Sequence, residues 1–232
     1  MHRSAVEAWR AQRYAALRRD TGWLALAGLG WLEPGVNVVG TDAVADVIVP
    51  KGPPDAGTIT LVDGQLHATG RFTHGGEPVR DLPLVNDQQG EPTMLELGSL
   101  RLCVIERGGR LAVRTWDLDA RARRDFDGID HWPVDAEWHV EGRFEPTPGR
   151  ALPVPNVLGT YDEQESPGDV RFELEGATHR LQALKGGDSG ALWLVFADGT
   201  NGNESYGGGR FIYTDQPAAD GRITVDFNRA YN

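Results

Sequence analysis

The most frequent pattern along the chain is an alternation of apolar and polar residues. The segment Ile-Thr-Val-Asp-Phe at residues 223–227 is the clearest case. A period of two residues is typical of a strand with one buried face. Similar short segments recur between turns rich in glycine, proline and aspartate. The predicted strands are residues 36–40, 46–49, 58–62, 65–69, 94–97, 100–105, 111–116, 138–144, 170–174, 179–184, 191–197, 211–213 and 223–227. They predict a mainly β protein with an antiparallel β-sandwich or barrel-like architecture.

Residues 3–20 are the one segment with the period of an amphipathic helix. Val6 and Trp9 lie on one face of it at helical spacing. Ser4 can cap its first turn, and Glu7 stands three residues later, which is the spacing of a capping box. The predicted fold therefore has one N-terminal α-helix.

A change in composition divides the chain into parts. Residues 1–20 are the helix, residues 21–116 a first β subdomain and residues 117–232 a second one, either with its own core or sharing one with the first. The boundary falls at residues 117–137, which include seven acidic side chains. Their spacing fits no standard calcium loop, so we interpret the stretch as a solvated loop and predict no metal and no cofactor.

Residues 23–32 are apolar at nearly every position and include Trp23 and Trp31. The run is too short to cross a bilayer. It therefore predicts a buried strand pair or the floor of a pocket.

The charge and the cysteine content restrict the class of protein. There are 23 basic and 34 acidic residues, a formal net charge of -11. Such a balance argues against nucleic acid and against an anionic membrane surface as partners. Cys103 is the single cysteine and lies in an apolar alternation, so it predicts a buried small side chain and no intrachain disulfide. No signal peptide or membrane span is predicted, and the expected location is the cytoplasm.

The candidate chemistry is concentrated near the end of the sequence. Gly207, Gly208 and Gly209 precede an aromatic segment that contains Tyr213. Ordering three glycines is costly, because glycine loses the most backbone entropy. The two interpretations are a bulge at the start of a strand and a backbone wall beside a ligand.

Arg210, Asp226, Asn228 and Arg229 add polar groups to this region. The arginine fork suits a carboxylate or a phosphate. The alternative is that Asp226 and Arg229 pair with each other or satisfy the backbone of the loop. We also expect residues 211–213 and 223–227 to form one β-hairpin.

A short motif suggests a protease, but its surroundings do not. Gly187-Asp188-Ser189-Gly190 is similar to the nucleophile motif of trypsin-like serine proteases. The mechanism of that family needs a histidine base upstream of the serine. His67 is the one candidate for it, and it lacks the sequence that surrounds the base in that family. We therefore interpret residues 185–190 as a turn between two strands.

Distinct motifs occur in residues 9, 22–32, 35–40, 126–135, 155–159, 206–211 and 226–232. The most specific are Tyr206-x-Gly208-Gly209-Arg210-Phe211 and the sequence Asp-Phe-Asn-Arg-Ala-Tyr-Asn at residues 226–232. Together these motifs resemble one bacterial family, the domain of unknown function 1684. The resemblance implies a soluble bacterial protein without an established activity. In that family the chain usually continues into a proline-rich segment with cysteines, whereas this sequence ends at Asn232. If that segment closes a site, the resemblance implies an open or incomplete site here; the alternative is that the sequence is a truncated piece of a longer chain. Residues 35–61 also resemble the start of a forkhead-associated domain, without its phosphate-binding arginine.

Three functions follow as alternatives. The first is the binding of a small, anionic molecule in a pocket lined by glycine, arginine and aromatic residues. The second is hydrolysis by carboxylates such as Asp125, Asp127 or Asp226, with or without a metal. The third is a protein–protein interaction module. The predicted ligand-binding residues are Trp23, Trp31, Gly208, Gly209, Arg210, Tyr213, Asp226, Asn228 and Arg229.

Overall fold

The computed structural model describes residues 1–155, 161–186 and 190–232, without the side chains of residues 155, 161 and 162. The chain is mainly antiparallel β, with one long helix near the N-terminus, as the alternation of residues predicts. It divides into two compact units. We call Gln12–Ile129 the sandwich unit, and Met1–Ala11 together with Asp130–Asn232 the barrel unit. Two predicted motifs lie partly outside the described residues. These are residues 187–189 of the protease-like motif and residues 156–159 of the family motifs.

Helix α1 (His2–Leu17) has its first residues in the barrel unit and its last in the sandwich unit. It ends close to Gly22, where a Cβ would lie 2.5 Å from the carbonyl oxygen of Leu17. Only glycine allows so close an approach to the last turn. In the described part of the chain, every helix is too short or too polar to cross a lipid bilayer.

The sandwich unit contains two sheets and a short helix, α2 (Arg121–Arg124). Its strands are β1 (Leu26–Trp31), β2 (Gly35–Gly40), β3 (Val47–Ile48), β4 (Gly57–Val62), β5 (Gln65–Gly70), β6 (Thr73–His74), β7 (Glu77–Pro78), β8 (Leu82–Leu84), β9 (Leu95–Leu97), β10 (Leu100–Arg107) and β11 (Arg110–Asp117). One sheet has the order β1-β11-β10-β9-β6-β7 and the other the order β3-β2-β4-β5-β8. All pairs are antiparallel except β2 with β3.

The core of the sandwich unit lies between these sheets. Val39 and Ile59 of one sheet and Leu95 and Leu102 of the other are buried in a single cluster. Cys103 faces the opposite side of its sheet and is 3 % exposed, as predicted. Burial raises the pKa of its thiol to about 11, which makes it a poor nucleophile.

The apolar run at residues 23–32 differs from the prediction. It forms a 3-10 turn (Trp23–Ala25) followed by the single strand β1, not a buried strand pair. Trp23 is 73 % exposed, and β1 is half-buried along its length. Apolar content alone does not determine burial, because a folded surface also carries many apolar atoms.

The barrel unit is built on one six-stranded sheet. Its strands are β12 (His139–Pro155), β13 (Tyr161–Leu174), β14 (Ala177–Lys185), β15 (Leu192–Phe196), β16 (Arg210–Thr214) and β17 (Arg222–Asp226). Their order in the sheet is β16-β15-β14-β13-β12-β17. After β17 the chain returns to the opposite edge, where the backbone groups of Phe211 and Tyr231 exchange hydrogen bonds of 2.7 and 3.0 Å. The sheet therefore curls into a barrel-like shape around its own core. Val170, Leu194, Ile212 and Val225 are fully buried there.

The predicted hairpin near the C-terminus is wrong in its pairing. β16 and β17 both form, but β16 pairs with β15 and β17 pairs with β12. The turn between them joins opposite edges of the curled sheet. The two strands that flank residues 186–190 do pair, as predicted.

Candidate functional site

Three of the predicted residues lie together where β17 ends in a 3-10 turn (Phe227–Arg229). The Asp226 side chain caps this turn by accepting hydrogen bonds from the backbone N and the Nδ2 of Asn228, at 3.2 and 2.9 Å. Asn228 also exchanges hydrogen bonds of 2.9 and 2.8 Å with the backbone of Asp135. The Nε of Arg229 lies 3.3 Å from Asp226 Oδ2. The ion pair that the sequence left open as an alternative is therefore present.

Two histidines join this carboxylate from distant parts of the sequence. His2, the first residue of α1, places its Nε2 2.9 Å from Asp226 Oδ2. His139, the first residue of β12, stands directly opposite Asp226 in the strand register and places its Nδ1 3.6 Å from the same oxygen. The two imidazole rings are 4.3 Å apart between centroids. We call His2, His139 and Asp226 the histidine–aspartate cluster.

The cluster is a buried carboxylate beside two partly exposed imidazoles. Asp226 is 7 % exposed, whereas the His139 side chain is 46 % exposed. Burial raises the pKa of Asp226, but hydrogen bonds from Asn228 and His2 and the charges of both histidines more than offset it, so the pKa lies below its ordinary value. At neutral pH the carboxylate is therefore ionised and its Oδ2 faces the imidazoles.

The donor set and its spacing suit a metal ion. The ligand atoms of the cluster all lie within 4.8 Å of one another. Two ligands about 2.1 Å from one ion are separated by about 3.0 to 3.4 Å at ordinary coordination angles. The distances of 2.9 and 3.6 Å from Asp226 Oδ2 to the two imidazole nitrogens fall close to this range. Two imidazoles and one carboxylate are ligands that zinc, iron and related divalent ions accept.

Arg210 lies elsewhere in the barrel unit and is already paired. Its Nη1 is 3.2 Å from Asp198 Oδ2 and 3.4 Å from the hydroxyl of Thr200. Burial raises the pKa of Asp198, but hydrogen bonds from Thr200 and the charge of Arg210 lower it below its ordinary value. The Arg210 guanidinium thus forms an ion pair with a loop aspartate, Asp198.

The glycines and Tyr213 also have local partners. Gly209 has φ +127°, and a Cβ on Gly208 would lie 2.3 Å from the ring of Tyr206. Tyr213 is 52 % exposed, and its ring stacks with that of Trp193 at 6.3 Å and that of Tyr231 at 6.2 Å. Because side chains alternate along β16, Tyr213 and Arg210 project from opposite faces of the sheet. The structure therefore does not bring them into one pocket wall.

The two predicted tryptophans belong to the sandwich unit. Trp23 is largely exposed there, and the Arg110 guanidinium lies 4.4 Å from the centre of the Trp31 ring. Of the carboxylates considered for hydrolysis, Asp125 forms an exposed ion pair of 2.9 Å with Arg121. Within the described residues, the acidic stretch 117–137 brings no three metal ligands together.

The sequence did not identify His2 or His139 as functional residues. Each is an isolated histidine in its own segment, without the short spacing of a metal motif. Only the pairing of β12 with β17 and the position of the first turn of α1 bring them to Asp226.

Comparison with known proteins identifies the family of the second half of the chain. Residues 124–232 match the family model described as Protein of unknown function (DUF1684). The predicted family is therefore confirmed over these residues, while the motifs before residue 124 lie outside the match.

The chain is also similar to part of a solved structure. That structure is the solution NMR structure of an uncharacterized protein of Haloarcula marismortui, with 30 % identity over 48 % of this chain and a TM-score of 0.39. The chain covers 63 % of that protein, which is less than two thirds of its length. Among curated proteins, no match was found.

Proposed function

We propose that the protein binds one divalent transition-metal ion through the histidine–aspartate cluster and uses that ion to hold a small anionic molecule. The observation that carries the proposal is the convergence of three ligand atoms from α1, β12 and β17 on one point. No two of these ligands are close in sequence, so the tertiary fold positions all of them.

The contacts around Asp226 prepare it to act as a ligand. Asn228 donates two hydrogen bonds to Oδ1, which orients the carboxylate and leaves Oδ2 to the imidazoles and Arg229. Supporting hydrogen bonds of this kind fix the direction of a metal ligand. Nitrogen donors favour zinc, cobalt, nickel or iron over magnesium and calcium, which prefer oxygen alone.

The anionic ligand follows from the charges beside the cluster. Three protein ligands leave coordination positions open, and the exposed edge of His139 shows that solvent reaches the cluster. Arg229 lies next to Asp226 with a side chain 35 % exposed, so it can pair with an anion that completes the coordination of the ion.

Isothermal titration of metal-free protein with zinc and cobalt tests the proposal. We expect one ion per chain in the wild type, and a loss of affinity greater than about 100-fold in His139→Gln and Asp226→Asn, since even supporting residues cost 10 to 100-fold. His67→Gln is the matched control, because His67 and Asp81 form a pair with the same 2.9 Å separation but have no third ligand among the described residues. Equal binding by His139→Gln and wild type would refute the site.

Hydrolysis is a second candidate, favoured by the open coordination positions. A metal with three protein ligands and a free position can activate water near neutral pH. We expect the zinc-loaded protein to cleave a member of an ester and phosphate-ester panel, and His139→Gln to lose that activity while His67→Gln keeps it. If the zinc-loaded protein cleaves no member of the panel, hydrolysis is refuted and binding remains the proposed function.

A further inference from the structure

Four arginines stand side by side across four neighbouring strands of the barrel unit. Arg222 of β17 is opposite Arg143 of β12, Arg143 is opposite Arg171 of β13, and Arg171 is opposite Arg180 of β14. Neighbouring strands are about 4.8 Å apart, so the backbone positions of these residues span about 14 Å. We call these four residues the arginine row.

The row lies on the outer face of the curled sheet. Successive side chains of a strand point to opposite faces of the sheet. The neighbours Phe172, Leu181 and Ile223 of Arg171, Arg180 and Arg222 belong to the buried core or pack against it, so the arginines point outward. All four arginines are exposed to solvent. Their guanidinium groups are therefore available to a ligand from outside.

The two central arginines have no partner within the described part of the chain. Arg222 pairs with Asp220 at 2.6 Å, and Arg180 pairs with Asp169 at 2.5 Å. Neither an ion pair nor a hydrogen bond of the described residues involves the side chain of Arg143 or Arg171. With respect to the described ranges, the guanidinium donors of Arg143 and Arg171 are thus free.

The remaining repulsion in the row is between Arg143 and Arg171, which stand directly opposite each other. Like charges directly opposite each other on a sheet destabilise the strand pair. The row is also unusual in a chain whose net charge is -11. A bound anion would remove the repulsion, and the arginine fork is the side chain best suited to phosphate oxygens.

The flanking residues limit the shape of the anion. Acidic residues lie two positions before and after each central arginine. They are Glu141 and Glu145 around Arg143 on β12, and Asp169 and Glu173 around Arg171 on β13. These acidic side chains repel a broad polyanion such as a nucleic acid duplex. A narrow anion that lies along the row, across the strands, avoids them.

We propose that the arginine row binds a short linear chain of phosphate groups, with Arg143 and Arg171 as the central contacts. The chain can be inorganic oligophosphate or the phosphate tail of a nucleotide. The proposal does not depend on a metal at the histidine–aspartate cluster, because none of the four arginines belongs to that cluster.

Titration calorimetry at low salt with sodium tripolyphosphate, on protein freed of metal by a chelator, tests the site. We expect wild-type protein to bind one tripolyphosphate, more tightly than monophosphate, and to bind less tightly as sodium chloride is added. The double variant Arg143→Gln/Arg171→Gln should bind at least about tenfold more weakly, since charge-assisted hydrogen bonds are lost. Because these side chains are exposed and unpartnered, the variant should keep its fold, which circular dichroism verifies.

The matched control is Arg110→Gln/Arg121→Gln, which makes the same change of net charge at exposed arginines of the sandwich unit. It should bind tripolyphosphate as the wild type does. Tighter binding of adenosine triphosphate than of tripolyphosphate would identify the source as a nucleotide, and equal or weaker binding would identify inorganic oligophosphate. No binding by the wild type, or an equal loss in the control, would overturn the proposal.

Discussion

The three consecutive glycines have three different surroundings. Gly209 has φ +127°, in the range that side chains disfavour, and a Cβ there would lie 3.3 Å from the carbonyl oxygen of Phe196. At Gly208, which lies outside that φ range, a Cβ would meet the ring of Tyr206 at 2.3 Å. A Cβ on Gly207 would approach Gly202 at 3.7 Å, which is ordinary van der Waals contact. The sequence shows that this segment is costly to order, and only the structure shows that one glycine of the three is needed for its backbone conformation.

Replacing each glycine with alanine should separate these reasons. Gly209→Ala should lower the free energy of unfolding by about 1–3 kcal/mol, the usual cost of a side chain in a disfavoured backbone region. Gly208→Ala should cost little, because Tyr206 is 64 % exposed and its ring can turn away. Gly207→Ala should be close to neutral. Urea unfolding measures all three, and an equal cost at Gly207 and Gly209 would contradict this account.

Strands such as β16 and β17 could be predicted from the sequence, but the partners of these two strands could not. Alternating residues identify β17 correctly, and an aromatic and β-branched run identifies β16, because both signals are local in the sequence. The pairing is not local: β17 pairs with β12, which begins at His139, far upstream in the chain. The same non-local register assembles the histidine–aspartate cluster and the arginine row. In the sequence, their members are isolated histidines and arginines without a recognisable motif.

The two proposed sites share one face of one sheet. His139 lies four residues before Arg143 on β12, and Asp226 lies four residues after Arg222 on β17, so all four have the same orientation. At about 3.4 Å per residue, the backbone of the cluster is about 13–14 Å from that of the arginine row. A phosphate chain on the row and an ion in the cluster would thus occupy separate positions on the same two strands.

On the scale of the whole molecule, an acidic chain keeps its buried carboxylates in contact with cations. Asp117 lies 2.7 Å from Lys51 in the sandwich unit, and in the barrel unit Asp169 is 2 % exposed and contacts Arg150 and Arg180. Burial raises the pKa of Asp117, but hydrogen bonds from Lys51 and Ser99 lower it below its ordinary value. These carboxylates therefore stabilise the fold only while they are ionised, so the stability of the whole protein depends on pH.

Asp169 provides the sharpest test of that dependence. The hydrogen bond from Arg150 holds the pKa of Asp169 below its ordinary value of 3.8, burial acts in the opposite direction, and the charge of Arg180 adds to the lowering. Glu145 also lies 3.7 Å from Arg180, and Arg171 stands opposite Arg180 in the strand register. Since the folded pKa is the lower one, the contribution of Asp169 is present above about pH 4 and is lost as the pH falls through the folded value.

Asp169→Asn should therefore be less stable than the wild type at pH 7, and the difference should shrink in acid. We expect about 3 kcal/mol at pH 7, at the low end of the cost of breaking a buried ion pair because both arginines keep contact with water. Asp125→Asn, which removes an exposed i,i+4 pair, should cost less than about 0.5 kcal/mol at every pH. Urea unfolding at a series of pH values from 7 to 3 gives both differences. A constant deficit of Asp169→Asn over this range would mean that the lost contact is steric, because a charge effect must disappear once the wild-type carboxylate is protonated.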